Sequence, residues 1–136
     1  MKEKINNDDP LASLFKDDAE DVNRKQLADL VFPFLSIDKN TKNFSFLPEF
    51  KKIDGNTQKI EMLLAGVKAR SLYLADLDGL LPIDMVAMGI MPEGSIKSSI
   101  KKLSEDHKIK KDKNGRYYLP SYRISELIEV FTNKKL

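Results

Sequence analysis

Serine and lysine side chains recur between residues 95 and 102 at spacings that gather them on one side of a helix. Ile96, Ile100 and Leu103 fall at i, i+4 and i+7 and form one apolar stripe. Ser95, Lys97, Ser98, Lys101 and Lys102 lie off that stripe, with Ser99 at its margin. Small hydroxyls flanked by ammonium groups suit close approach to phosphate oxygens and base edges. A solvated helix face has the same composition, but a second basic cluster follows: Lys110, Lys111, Lys113, Asn114 and Arg116, around an Asn114-Gly115 pair. From Gly94 to Arg123 nine Lys/Arg stand against three acids, Glu105, Asp106 and Asp112, while the whole chain carries only +2. The positive charge is therefore segregated.

Other chemistries lack their residues. The single histidine, His107, has no partners in the sequence for a metal site or a catalytic triad. Without cysteine there is neither a disulfide nor a thiolate ligand set. Gly89 and Gly94 lack the pattern of a phosphate-binding loop. Asp76 and Asp78 lead into Gly79 but lack the further ligands of a calcium loop, so they read as a turn. No catalytic residue, metal or cofactor is expected, and the chain does not read as an enzyme. No apolar run approaches a membrane span, and Met1-Lys2-Glu3-Lys4 is followed by polar residues rather than a signal-peptide core. A soluble cytoplasmic protein without membrane contact is the expectation.

The elements that must position the basic residues follow from local signals. Ser95 suits the N-cap of the basic helix. His107–Lys111 and Arg116–Leu119 read as two strands around Asn-Gly. A two-residue loop would set Ile109 against Pro120. A three-residue loop, Lys113-Asn114-Gly115 with Gly115 left-handed, pairs Ile109 with Leu119 and Lys111 with Tyr117, and is favoured because it keeps the apolar residues on one face. Upstream, a helix capped by Asn56 or Thr57 carries Ile60, Leu63, Leu64, Val67, Ser71 and Leu74 at helical spacing, with Lys68 and Arg70 near its far end to complement the dipole. Leu81-Pro82 opens a second helix that buries Met85, Val86 and Met88. Ile124, Leu127, Ile128 and Phe131 define a last helix.

This order resembles a winged helix-turn-helix domain over about residues 57–131. The resemblance rests on Leu81-Pro82-Ile83-Asp84-Met85-Val86 as the first helix of the motif and on Pro92-Glu93-Gly94-Ser95-Ile96-Lys97 as the start of the recognition helix. Lys113-Asn114-Gly115-Arg116-Tyr117-Tyr118-Leu119 stands as the wing. It implies a mainly α (α+β) fold: a three-helix core, a C-terminal two-stranded wing and a final helix, preceded by an N-terminal arm. It also implies sequence-specific or semi-specific binding of double-stranded DNA, with Ser95, Lys97, Ser98, Ser99, Lys101 and Lys102 facing the major groove. Lys110, Lys111, Lys113, Asn114 and Arg116 would reach phosphates or the adjacent minor groove. Lysine in place of arginine on the helix implies modest base discrimination. Transcriptional regulation is the family's usual role; plasmid or phage replication or partition is compatible, and the same scaffold also serves as a protein–protein interaction module.

The other half of the chain differs in charge: residues 1–56 carry a net −2 and residues 57–136 a net +4. Residues 1–21 read as an acidic tail, disordered or a frayed helix, in which Leu11, Leu14 and Phe15 could dock a protein partner or pack weakly on their own domain. Residues 22–56 hold a helix from Asn23 to Val31, ended by Pro33, and a Phe-rich arm. Phe34–Ile37 and Phe44–Leu47 suggest a hairpin. Phe32, Phe34, Phe44, Phe46 and Phe50 must pack on the core or on a second copy. A homodimer through this arm or through the C-terminal helix is the alternative to intramolecular packing.

Overall fold

The computed structural model describes residues 8–15 and 22–133. The expected disorder over residues 1–7 and 16–21, and the chain after Asn133, lie outside them. The architecture is mainly helical with two small two-stranded antiparallel sheets, an α+β arrangement.

Its axis is α3 (Asn56–Leu74), which starts behind Gly55 at φ +93 rather than with Asn56 or Thr57 as the cap. The sequence predicts one apolar stripe on this helix, yet every residue from Ile60 to Lys68 is buried. The reason is its neighbours: α1 (Arg24–Val31), β1 (Leu35–Ile37), α5 (Glu93–Glu105) and β4 (Tyr117–Tyr118) all pack against it. Gly66 permits one of these approaches, since a Cβ there would lie 2.7 Å from Leu35 Cδ1. Lys68, expected near the helix's far end as a complement to its dipole, is 4% exposed. Its ammonium pairs with Asp78 and lies 5.4 Å from the centre of the Tyr118 ring. Residues 76–79, expected as a turn, form an irregular link instead, and Asp78 anchors it to α3.

The N-terminal elements close over α3. Asn23 caps α1 by accepting the Gln26 N–H at 3.0 Å, and Leu27, Leu30 and Val31 turn inward. β1 pairs with β2 (Phe44–Phe46), Leu35 opposite Phe46 and Ile37 opposite Phe44. α2 (Pro48–Lys51) is a single helical turn within the expected extended arm, and it buries Phe50. Phe34, Phe44 and Phe46 pack half-buried on the core, Phe34 edge-on to Phe131 with ring centres 5.3 Å apart. Only Phe32 of the five stands clear, at 80% exposure. Further upstream, Pro10–Leu14 forms a short 3-10 helix capped by Asp9, a regular turn within the acidic tail.

The C-terminal elements follow the expected order. α4 (Pro82–Ala87) has Pro82 in its first turn and the Asp84 carboxylate accepting the Leu81 N–H at 3.1 Å. Gly89 at φ +68 turns the chain toward α5. β3 (Lys110–Lys111) pairs with β4, Lys110 opposite Tyr118 and Lys111 opposite Tyr117, which is the register of the three-residue loop. The strands are shorter than predicted, but β4 gains a second neighbour. Leu80 and Tyr117 exchange backbone hydrogen bonds of 2.9 and 2.8 Å. Gly79, at φ +87, makes room: a Cβ there would lie 2.8 Å from the Tyr117 carbonyl oxygen. α6 (Ser121–Asn133) buries Ile124, Leu127 and Phe131.

One apolar core joins both halves, running from Leu27, Leu35 and Phe50 through Ile60 and Leu64 to Ile96, Leu119 and Leu127. Among the described residues no helix is long and apolar enough to cross a membrane.

Candidate nucleic-acid interface

The basic helix begins earlier than its sequence suggests. α5 starts at Glu93 with Pro92 in the capping position, and the Ile96 N–H bonds to the Pro92 carbonyl at 3.1 Å. Proline has a preset φ, here −59, and can precede a helix at little cost. Ser95 is therefore not the N-cap but lies half-buried in the first turn. Ile96, Ile100 and Leu103 are buried as the stripe requires. Ser99 goes with them at 5% exposure, so it belongs to the packed side and not to the face assigned to it.

Lys97, Ser98, Lys101 and Lys102 share exposure to solvent. The Ser98 hydroxyl donates to the Ser95 carbonyl at 3.2 Å. Lys97 Nζ lies 2.8 Å from the Glu93 carboxylate, one helical turn earlier. That hydrogen bond, reinforced by the opposite charges, holds the Glu93 carboxyl below its ordinary range and raises the Lys97 ammonium above its own. Lys97 is thus partly neutralised, whereas Lys101 and Lys102 have no ion-pair partner among the described residues.

At the hairpin tip Asp112 organises the loop. Its Oδ1 accepts the N–H groups of Asn114 at 2.8 Å and Arg116 at 3.0 Å, and Gly115 takes φ +85. Lys113 and Asn114 are left exposed at the turn. Successive strand residues point to opposite faces, and each strand lysine finds a different ring. Lys111 Nζ lies 5.6 Å from the centre of Tyr117, and Lys110 Nζ lies 5.5 Å from that of Tyr122. Arg116 is half-buried and turned back on the body, donating to the Gly79 carbonyl at 3.4 Å.

The joint between helix and hairpin is fixed. His107 adopts φ +58, with its N–H on Ser104 O at 3.1 Å and the Lys108 N–H on Leu103 O at 2.9 Å. These are the paired bonds of a left-handed helix stop. The Tyr122 hydroxyl donates to the His107 carbonyl at 2.8 Å and ties the joint to α6.

Of the residues singled out from sequence, the structure exposes Lys97, Ser98, Lys101 and Lys102 on one helix and Lys110, Lys111, Lys113 and Asn114 on one hairpin. It half-buries Ser95 and Arg116, and it removes Ser99. Glu93, Tyr117 and Tyr122 also shape the surface. The i,i+4 spacing of Glu93 and Lys97 was a readable signal, and Tyr117 follows once the hairpin register is known. Tyr122 depends on how α6 packs, which no local spacing encodes. The surface offers ammonium groups, a hydroxyl and an amide, and among the described residues no three His, Cys, Asp or Glu side chains gather as a metal site. Comparison of the chain with protein-family models, curated proteins and solved structures finds no match.

Proposed function

We propose that the chain is a winged helix-turn-helix protein that binds double-stranded DNA. In this reading α5 enters the major groove with Lys97, Ser98, Lys101 and Lys102, and Ser95 near its start. The β3–β4 hairpin is the wing, whose Lys113 and Asn114 reach phosphates or the adjacent minor groove. Lys110 and Lys111 serve from its two faces, and Arg116 contributes mainly by holding the wing to the link at Gly79. The observation that carries the reading is the joining of order and exposure. α3, α4, α5 and a hairpin follow one another, Leu80–Tyr117 ties the hairpin to the link before α4, and the exposed face of α5 carries Lys101 and Lys102 without ion-pair partners among the described residues. Transcriptional regulation is the role proposed; replication or partition of a plasmid or phage genome would use the same surface.

A fluorescence-anisotropy titration with random-sequence duplex, repeated over a salt series, tests it. About six lysine–phosphate contacts give a log–log slope near −5. The Lys101→Glu/Lys102→Glu variant loses binding while its unfolding midpoint stays in place. No binding at low salt sinks the proposal and favours a protein-interaction module. That second reading draws on the acidic N-terminal arm and the Phe-rich segment, where Phe32 stands 80% exposed.

A further inference from the structure

Away from the basic face, a cleft of about 710 Å³ opens between α1, the β1–β2 turn and the C-terminal part of α3. Leu27, Ala69 and Leu72 line it, and Ile37, Tyr73 and Leu74 stand at it with 37%, 84% and 37% of their surface exposed. Four cations surround this apolar lining, Arg24, Lys39, Lys42 and Arg70, against one carboxylate, Asp38. Asp38 is already engaged by the N–H groups of Asn40 and Thr41.

The two guanidinium groups are held in place by carbonyls and not by carboxylates. Arg70 donates to Lys42 O at 2.8 Å and stacks 4.5 Å from the centre of the Phe44 ring, while Arg24 donates to Leu72 O at 3.3 Å. Burial pushes the Arg70 pKa down, as expected of a charge that has lost water, against a smaller opposing pull from Asp76. An occupant suited to the cleft therefore needs large apolar side chains and flanking carboxylates together.

The chain contains such a segment. Asp8-Asp9-Pro10-Leu11-Ala12-Ser13-Leu14-Phe15 carries Leu11, Leu14 and Phe15 at 62%, 73% and 63% exposure. In a 3-10 helix residues i and i+3 eclipse one another, so Leu11 and Leu14 form a ridge on one side. Asp8 and Asp9 precede the ridge, and Asp17, Asp18, Glu20 and Asp21 follow it in sequence. None of residues 8–15 lines the cleft of its own chain.

We infer that the cleft receives the Asp8–Phe15 segment of a second copy of this chain, the two copies exchanging segments reciprocally about a two-fold axis. Such an exchange is isologous: each copy supplies one ridge and one cleft. It covers the exposed leucines, Phe15 and Tyr73, and sets carboxylates against a lining in which four cations outnumber one carboxylate.

Sedimentation equilibrium of the full chain tests this without DNA present. The unaltered chain is expected to dimerise. Leu14→Ser/Phe15→Ser, which spoils the ridge, and Lys39→Glu/Tyr73→Ser, which spoils the cleft, are each expected to be monomeric. All four positions are exposed, so neither pair disturbs the core. Mixing the two variants restores association, weaker than in the unaltered chain, because one of the two ridge–cleft contacts is intact. A monomeric unaltered chain overturns the inference, even one whose Leu11–Phe15 amides are protected from exchange, since that is docking within one chain. A dimer insensitive to both variants overturns it, and so does a mixture that associates no more than either variant alone.

Discussion

The carboxylate of Glu61, 1% exposed in the N-terminal part of α3, meets the Arg123 guanidinium of α6 through two hydrogen bonds, from Nε at 2.5 Å and Nη2 at 3.2 Å. That contact, with Glu126 alongside, raises the arginine's pKa still further. Removing one member of such a pair strands a buried charge, which costs about 3–5 kcal/mol, whereas apolar replacement of both can be neutral. Arg123→Ala should lower stability by that amount in urea unfolding, and Glu61→Met/Arg123→Met should recover most of it. Neither residue announces itself in the sequence: a lone Glu in a helix normally faces water, and its partner lies 62 positions away. Asp38 makes a milder case. The Thr41 and Asn40 N–H groups hold its carboxyl below the ordinary value of 3.8. A carboxylate depressed on folding stabilises fully above its unfolded pKa and loses that contribution as pH falls through the lower folded value. Amide exchange at Asn40 and Thr41, corrected for intrinsic rates, should thus accelerate only below about pH 4.

At the scale of elements, two backbone positions set where the hairpin goes. His107 occupies a left-handed conformation at the end of α5, which costs an L-residue about 1–2 kcal/mol and glycine almost nothing. His107→Gly should therefore stabilise the chain by about 1 kcal/mol, read as a raised urea midpoint, because Tyr122 grips the carbonyl and not the imidazole. Gly79→Ala should do the opposite. Its φ of +87 and the Tyr117 carbonyl 2.8 Å from a built Cβ leave no room, and a loss of about 2–3 kcal/mol is expected, with the Leu80–Tyr117 amides exchanging sooner. Periodicity made α1, α5 and α6 legible, because each faces the core along one stripe. The hairpin register was legible from Ile109 and Leu119, which must share a face. The caps at Gly55 and Pro92 were not, since Asn56 and Ser95 carry the side chains that usually cap. Neither was the burial of α3 on several sides: its stripe records one neighbour, and the others come from distant sequence. Leu80 escaped because a single bridging residue has no period.

For the whole molecule, the acidic and basic halves differ in charge but not in core. Leu27, Leu35 and Phe50 cover α3 from one half, while Ile96, Leu103 and Leu119 cover it from the other. The full chain should unfold in one transition, with far- and near-ultraviolet circular dichroism coinciding. A fragment starting at residue 57 should lack a cooperative transition. At this scale the basic surface was legible from charge segregation alone, and the cleft was not, because α1, the β1–β2 turn and α3 form it together. The enclosure of α3 also bears on how freely the sequence can vary. Between Ile60 and Lys68 a substitution must satisfy several neighbours at once, and Gly66 admits not even a methyl group without displacing Leu35. The outer side of α5 answers to no neighbour at Lys101 or Lys102. Packing thus confines mutation in the scaffold and leaves the outer face of α5 free to vary, so the composition of that face can drift while the fold stays put.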